Sequence, residues 1–372
     1  MRTDQKIRTS SLPHSARSHE TGGRETGNGT PDARFRGREG FLQAPASGRG
    51  RVPRRQGGFS LVELMVALLL GLLLMSGIIA VYLESKNNFV QDEAISRVQE
   101  NGRYALRLLT REIAMGGFYG GATDPAAITS PAGSTCQHWL LNPDQVIETY
   151  NKAGTGTGEN AAFGSCFGSP SGVVADTDVI AVRRASDRPV ILHGQWQTGF
   201  SAPLTAGQYY LHTDNSGLGS TEIQPGSALS PSTLTATGST ADLWDYFGRI
   251  YYIGTENGVP SLCTRSAQNT TQTCLVSGVE SLQLELGVDR KGDGIPDEFI
   301  SDAVKSGGVD VATVISMRVH LLMRSLEPVR NFAAESRTWE LGDQTLTTND
   351  QYYRRVFTAT VPRNNQVFTT FQ

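Results

Sequence analysis

The stretch RRQGGFSLVELMVALLLGLLLMSGIIAVY, residues 54–82, decides the fold of this 372-residue chain. It joins two arginines and two glycines to an apolar run from Phe59 to Tyr82 that contains one carboxylate, Glu63. The hydrocarbon core of a bilayer is ~30 Å thick and needs about 20 helical residues, so residues 59–82 are predicted to form a transmembrane helix. A secretory signal peptide is the alternative, but its apolar core is usually about 7–15 residues long and a small-residue cleavage site follows it.

Charge on either side of the apolar run predicts its orientation. Arg54 and Arg55 precede the run, whereas three carboxylates and one lysine follow it before position 94. Basic residues stay on the cytoplasmic side of a membrane helix. We therefore expect the chain after Tyr82 to lie outside the cytoplasm.

Charge also separates the N-terminal residues from the rest. Residues 1–58 contain 12 Lys/Arg and 5 Asp/Glu, a net of +7; the whole chain has 33 and 36, so the remaining 314 residues carry 21 and 31, a net of −10. Nucleic acids bind clustered Lys/Arg, so this acidic remainder argues against nucleic acid as the main partner. Residues 1–52 lack apolar periodicity and are predicted to be either a disordered extension or the product of a misassigned start; we expect the true start at Val52.

Glu63 lies one turn inside the predicted membrane helix. A carboxylate near the bilayer centre costs about 2.5–3.5 kcal/mol on insertion scales and less near the ends, so it usually has a partner or a function. Cleavage between Gly58 and Phe59 would create an α-amino group at the membrane boundary that could pair with Glu63 of a neighbouring subunit. The alternative is that Glu63 reaches the headgroup layer without a partner.

The order of features in GGFSLVEL, residues 57–64, resembles the N-terminal signature of type IV prepilins and pseudopilins. These features are a basic leader ending in glycine, a phenylalanine after it, and glutamate as the fifth mature residue. The resemblance implies that a prepilin peptidase cuts after Gly58 and that Phe59 becomes the N-methylated mature N-terminus. It also implies that Glu63 registers subunits during filament assembly.

The helix is predicted to continue to about Met115. No proline interrupts residues 83–115, and apolar side chains three and four residues apart form one stripe. The stripe consists of Ile95, Val98, Ala105, Leu109 and Ile113, and the charged face of Glu93, Arg97, Glu100, Arg103, Arg107 and Arg111. Gly116 and Gly117 are predicted to end the helix.

After Tyr119 the sequence favours short strands rich in β-branched and aromatic residues. The predicted strands cover residues 178–184, 208–212, 249–254, 281–288, 317–324 and 354–362. His320 alternates with inward residues and is predicted to face solvent. Gly/Ser/Thr-rich stretches at 151–160 and 216–240 are predicted to be surface loops. The predicted fold class is α+β and pilin-like, with a long N-terminal helix, half in the membrane and half amphipathic, packed on an antiparallel β-sheet head.

Four cysteines, Cys136, Cys166, Cys263 and Cys274, all follow the membrane helix. An even number of cysteines outside the cytoplasm favours disulfides, with three pairings open. Sequence proximity favours Cys136 with Cys166 and Cys263 with Cys274. Free thiols are the alternative, whereas the absence of a C-x-x-C motif gives zinc or redox chemistry little support.

The loop VDRKGDGIPDE, residues 288–298, approximates the calcium-loop pattern of alternate oxygen ligands followed by glycine. Asp289, Asp293 and Asp297 are the candidate ligands, but Lys291 occupies a ligand position and brings a positive charge. An ordinary polar turn is the favoured interpretation, so no metal site and no cofactor is predicted. No H-E-x-x-H or G-x-S-x-G pattern occurs either, and the chain is predicted not to be an enzyme.

Several stretches resemble PilW-type minor pilins. They are residues 101–118, 178–184, 288–294, 315–319 and 353–361. The resemblance implies a non-catalytic structural subunit that primes pilus assembly in a tip complex, where it contacts other minor pilins and the major pilin through its N-terminal helix and joins a tip adhesin. It also implies roles in twitching motility and cell adhesion. The alternatives are a J-type pseudopilin of type II secretion and a membrane-anchored periplasmic binding or enzyme domain.

Four parts of the chain are predicted from these features. They are residues 1–58, a leader or disordered extension; 59–82, a transmembrane helix; 83–118, its amphipathic continuation; and 119–372, a periplasmic or extracellular β-rich head. The expected location is the inner membrane, crossed once with the head in the periplasm, and then the pilus or cell surface.

Overall fold

The computed structural model describes residues 57–122, 124–153, 165–167, 172–214, 221–301, 309–329, 336–363 and 365. The leader up to residue 56, with Val52 and both arginines of the opening stretch, lies outside the described residues. Most of the glycine-rich stretch at 151–160 does so too. The chain divides into two units between Leu64 and Met65.

Helix α1, Leu61–Met115, is 55 residues long and follows the non-helical residues 57–60. Val98, Ala105, Leu109 and Ile113 are at most 3% exposed, which confirms the apolar stripe; a further member, Ile95, is half-buried. All six residues of the predicted charged face are exposed. The helix ends where Gly117 takes a φ of +80°, a left-handed conformation that glycine adopts without steric cost.

The head contains a nine-stranded sheet. Its strands are β1 Ile128–Thr129, β2 Ile147–Ala153, β3 Thr177–Leu192, β4 Gln195–Trp196, β5 Tyr209–Asp214, β6 Thr221–Pro225, β7 Ala241–Glu256, β8 Val259–Ser266 and β9 Thr273–Ser277. The order is β1-β6-β5-β7-β3-β2, with β4 beside β3 and with β8 and β9 continuing from β7. The pairing between β1 and β6 is parallel and the others are antiparallel.

A second, four-stranded antiparallel sheet has the order β11-β10-β12-β15. Its strands are β10 Val279–Val288, β11 Glu298–Ile300, β12 Val314–Arg324 and β15 Arg354–Pro362. Between β12 and β15, β13 Arg337–Leu341 and β14 Gln344–Thr348 form a hairpin. The remaining elements are helices α2 Cys136–Leu141 and α3 Pro231–Leu234 and the 3-10 turns Pro125–Ala127 and Val311–Thr313.

The amphipathic part of α1 packs on this second sheet, as predicted. Met317 and Leu321 of β12 are fully buried in the same core as Leu109 of α1. Gly102 brings the helix close to β15, because a Cβ there would lie 2.3 Å from the ring of Phe357. The long helix and the antiparallel sheets confirm the α+β fold class.

Two polar side chains of this sheet are covered by neighbouring turns, and for His320 this corrects the prediction that it faces solvent. Gln283 alternates with the buried leucines of β10 but is itself 1% exposed, because its amide donates a hydrogen bond of 2.7 Å to the carbonyl of Asp176 in the turn before β3. His320 does not face open solvent. Gly342 in the β13–β14 turn lies against it, and its side chain is only 13% exposed.

The Gly/Ser/Thr-rich stretch at 216–240 is not a continuous loop. Residues 221–225 form β6 and residues 231–234 form α3, whereas 216–220 lie outside the described residues. Ile223 and Leu234 are 2% and 6% exposed, so a few apolar side chains anchor this stretch despite its loop-like composition.

Candidate functional site

The N-terminal segment leaves its predicted cleavage bond outside regular structure. Gly58 and Phe59 precede α1, and Phe59 is 84% exposed. Proteolytic cleavage is favoured at exposed segments without secondary structure. Glu63 lies in the first helical turn, where a carboxylate interacts favourably with the helix dipole. The structure therefore places the three predicted N-terminal site residues together, on an accessible helix start.

The apolar segment of α1 is exposed along its length. In the part of the chain that the structure describes, α1 alone is long and apolar enough to cross a membrane, and none of its most apolar window is buried within the protein. A soluble protein rarely exposes so large an apolar surface, and such surfaces mark membrane or protein contacts. The segment is therefore suited to anchor the chain in a bilayer.

The four predicted disulfide cysteines form two bridges. Cys136, the first residue of α2, pairs with Cys166 at a Cα–Cα distance of 4.5 Å. Cys263 on β8 pairs with its cross-strand neighbour Cys274 on β9, at a Cα–Cα distance of 3.8 Å. These are the pairings that sequence proximity favours, and they leave no thiol among the four for metal or redox chemistry.

The candidate calcium loop uses its carboxylates for internal contacts. Asp289 accepts backbone hydrogen bonds from residues 291–294, the shortest being 2.6 Å from Gly292. Asp297 contacts the Lys291 ammonium, while Asp293 turns away to accept a hydrogen bond of 3.0 Å from the amide of Ile295. Among the described residues there is no group of three His, Cys, Asp or Glu side chains that could hold a metal ion.

Electrostatics explain the loop's shape without a metal. Hydrogen bonds from the backbone amides, that of Gly294 first, hold the pKa of Asp289 below its usual value. The hydrogen bond from Lys291 does the same for the pKa of Asp297. The Lys291 ammonium thus contacts Asp297, whereas Asp289 accepts a hydrogen bond from the backbone amide of the same lysine.

Arg183 is a fully buried cation at the centre of the head. Its Nη2 lies 2.7 Å from Oε2 of Glu148 on β2 and donates to the carbonyl of Trp139 at 3.0 Å. The guanidinium also lies 4.8 Å from the centroid of the Trp139 ring. These contacts tie α2, β2 and β3 together, and they use the hydrogen-bonding capacity that a buried guanidinium requires.

The adjacent arginine connects the head to α1. Nη2 of Arg184 on β3 lies 2.6 Å from Oε1 of Glu112 on α1, and Nη1 of Arg249 on β7 lies 3.6 Å from the same oxygen. Both guanidinium groups lie over the ring of Phe247, at 4.9 and 4.5 Å from its centroid. One buried carboxylate is therefore shared by two arginines.

The sequence contained a signal for these two ion pairs. Neighbouring residues of a strand point to opposite faces, so one member of the Arg183–Arg184 doublet had to face the interior and find a partner there. Glu112 lies beside Ile113, at the edge of the apolar stripe, which is an unusual place for an unpaired carboxylate.

The buried tyrosines serve as hydrogen-bond donors rather than as acids. Tyr119 donates to the carbonyl of Pro143 at 2.9 Å and stacks on Tyr246, whose hydroxyl lies 3.4 Å from the carbonyl of Leu141. Burial raises the pKa of Tyr119 well above its usual value and that of Tyr251 to about 12. These phenols remain protonated near neutral pH, and the hydroxyls of Tyr119 and Tyr246 donate to the carbonyls of Pro143 and Leu141.

Two protein-family profiles match the chain. Residues 250–365, from the second half of β7 through β15, match the family described as type IV pilus-assembly protein W, PilW. Residues 53–79 match the prokaryotic N-terminal methylation motif. Comparison with curated proteins and with solved structures gives no significant match. The predicted resemblance to prepilins and to PilW-type proteins is confirmed over these two segments.

Proposed function

We propose that this chain, which carries a prepilin-type methylation motif and a PilW-type region, is a minor pilin that primes type IV pilus assembly within a tip complex. The observation that carries the proposal is the presence of both matches in one chain, at residues 53–79 and 250–365. A prepilin-type leader motif alone would be compatible with any membrane-anchored protein, whether or not it has a pilin head. Here the matched head packs directly on the amphipathic part of the helix that follows the motif.

The four predicted parts of the chain belong to this proposal. Residues 1–58 act as the leader, with or without the extension before Val52, and residues 59–82 anchor the protein in the inner membrane. Residues 83–118 continue the helix outside, and residues 119–372 form the periplasmic head. The exposed apolar segment of α1 and its basic flank support this orientation.

The N-terminal site acts in processing and assembly. A prepilin peptidase cuts between Gly58 and Phe59, and the new terminal amine of Phe59 is methylated. Glu63 then pairs with the Phe59 amine of a neighbouring subunit. The support is physical: a carboxylate one turn inside an apolar helix is costly unless it meets a cation.

The proposed role is structural and needs no cofactor. Both matched families are structural rather than catalytic. The buried titratable groups described above hold the fold together. The proposed partners are the prepilin peptidase, other minor pilins and the major pilin through the N-terminal helix, and an adhesin at the pilus tip.

Deletion and complementation in the native host test the proposal. Deletion should abolish surface pili and twitching. The wild-type chain should restore both, and its mature form should begin with N-methylated Phe59 by mass spectrometry. Glu63→Val should be processed but should not restore pili. Glu84→Val, which removes an exposed carboxylate after the apolar run, is the matched control and should restore them.

Three outcomes would overturn the proposal. Intact pili with failed release of secreted proteins would indicate a J-type pseudopilin instead. A function that persists without leader processing would indicate a membrane-anchored periplasmic domain. Full activity of Glu63→Val would remove the assembly role of that carboxylate.

A further inference from the structure

A groove opens in the head where α1 lies beside β3 and β7, with a volume of about 460 Å³. Its helical side is formed by Tyr104, Arg107 and Arg111, whose spacing of three and four residues places them on one helix face. Arginines dominate the lining. They are Arg107, Arg111, Arg184, Arg188 and Arg249, and we call this surface the arginine groove.

The arginine groove carries an excess of positive charge. Five arginines face three carboxylates, namely Glu112, Asp187 and Asp245. Glu112 is already shared by two arginines, and Asp187 lies 3.4 Å from Arg111 in a pair whose side chains are 66% and 61% exposed, so solvent weakens it. Within the described part of the chain, neither Arg107 nor Arg188 has a carboxylate at ion-pair distance. The groove is therefore cationic, although the residues after position 58 carry a net charge of −10.

Aromatic rings complete the lining. Tyr104 is 55% exposed, and the ring of Phe247 lies beneath two guanidinium groups. Arginine and aromatic residues are enriched where protein partners contribute most binding energy. The planar guanidinium binds a carboxylate through two parallel hydrogen bonds. The chemistry of the groove thus fits a protein segment that presents carboxylates.

Helix α1 supplies an example of such a segment. Asp92, Glu93 and Glu100 are exposed carboxylates after its apolar run, with Glu93 in an exposed pair with Arg97, whereas the groove arginines Arg107 and Arg111 follow them toward the C-terminal end. When two such helices lie parallel and one is shifted along the other, the carboxylates of one helix face the arginines of the other. The 14 residues from Glu93 to Arg107 correspond to a shift of roughly 20 Å.

We propose that the arginine groove docks the acidic stretch of the α1 helix of a neighbouring pilin-type subunit. The inference rests on the proposed function and names the contact through which this subunit joins its neighbours outside the membrane. Charge complementarity selects the occupant, and the exposed Tyr104 ring adds apolar contact beside the ion pairs.

Site-specific photocrosslinking of the full-length chain in its native host tests the contact. A benzophenone amino acid replaces Tyr104, and replaces Arg103 in the control, because Arg103 is exposed on α1 but does not line the groove. The expected adduct from position 104 contains an acidic α1 peptide of a pilin-type subunit. An adduct with nucleic acid, with a secreted protein or with a non-acidic segment, or no adduct above the control, would overturn the proposal.

Charge reversal separates this inference from the proposed function. The double variant Arg107→Glu with Arg188→Glu should lower both the adduct from position 104 and the number of surface pili about tenfold. Lysine at both positions keeps the charge but loses the two parallel hydrogen bonds, so it should lower both signals less than glutamate does, and Arg103→Glu should keep all of them. If deletion abolishes pili but the double charge reversal does not reduce them, the docking contact is refuted and the function stands. If deletion leaves pili intact, the proposed function fails as well.

Discussion

Glu112 on α1 and Arg184 on β3 form a bidentate ion pair. Nη2 of Arg184 lies 2.6 Å from Oε1 of Glu112, and Nε of Arg184 lies 3.2 Å from Oε2 of Glu112. The two side chains are 8% and 7% exposed, so the charges are nearly removed from water. A buried pair of this kind fixes one relative position of its elements, because any slip leaves a charge unpaired. It therefore sets the register between the amphipathic part of α1 and the nine-stranded sheet.

Removal of the carboxylate should strongly destabilise the head. Glu112→Gln leaves the buried Arg184 guanidinium without its counter-charge, and we expect the free energy of unfolding to fall by about 3–5 kcal/mol. Denaturant titration of the full-length protein in detergent measures the change. Asp187→Asn is the matched control, because it breaks an exposed pair with Arg111 and should cost less than about 1 kcal/mol. Equal effects of the two variants would contradict the structural role of Glu112.

Gly248 on β7 should tolerate no side chain. A Cβ there would lie 2.0 Å from the carbonyl oxygen of Leu140, and a backbone atom cannot rotate away. We expect Gly248→Ala to lower the free energy of unfolding by about 1–3 kcal/mol, which calorimetry or denaturant titration would detect. Gly207→Ala is the control, since a Cβ at Gly207 meets nothing within 4 Å. An unchanged stability of Gly248→Ala would show that α2 does not pack this closely on β7.

Much of this fold is predictable where one local pattern dominates. The apolar run fixes α1 because its length matches a bilayer, and the 3.6-residue stripe predicts which part packs on the head. Strand β15 was predicted at 354–362 with the bounds that it has in the structure, because alternating β-branched residues lie between clear turn signals. The pairing of Cys263 with Cys274 follows from their short separation across a hairpin.

Other features depend on tertiary contacts that no local pattern encodes. Gln283 is buried because the turn at Asp176 covers β10, and His320 is covered because the Gly342 turn folds over β12. The arginine groove draws residues from α1, β3 and β7, which are far apart in sequence, so their charges sum only after folding. Strand β6 was missed because its Gly/Ser/Thr-rich surroundings conceal a single buried anchor, Ile223.

The two disulfides should contribute unequally to stability. Cys136–Cys166 closes a loop of 30 residues and Cys263–Cys274 a loop of 11 residues. In the chain-entropy account each disulfide contributes roughly 3 kcal/mol to stability. The disulfide that closes the longer loop contributes about 1 kcal/mol more than the other. Thermal unfolding of the two double-serine variants measures the difference. A larger loss from removal of Cys263–Cys274 would indicate that packing around the β8–β9 pair, rather than loop entropy, sets its contribution.

Acid should weaken the head through Glu285. Burial raises the pKa of this carboxyl, but hydrogen bonds from His320 Nε2 at 2.9 Å and Arg318 Nη1 at 3.0 Å outweigh burial and hold it below its ordinary value of 4.5. A depressed pKa in the folded state means that the unfolded chain binds the proton more readily. The stabilisation is therefore complete above about pH 4.5 and is lost as the pH falls through the lowered folded pKa.

Glu285→Gln tests this linkage, because glutamine keeps the shape of the side chain but cannot ionise. The variant should be less stable than the wild type at pH 6, and the two free energies of unfolding should converge as the pH falls below 4.5. Denaturant titrations across this pH range measure both. Glu340→Gln, on the exposed part of β13, should follow the wild-type curve at every pH. A constant gap between wild type and Glu285→Gln would mean that the carboxylate charge does not hold the Arg318 and His320 side chains to β10.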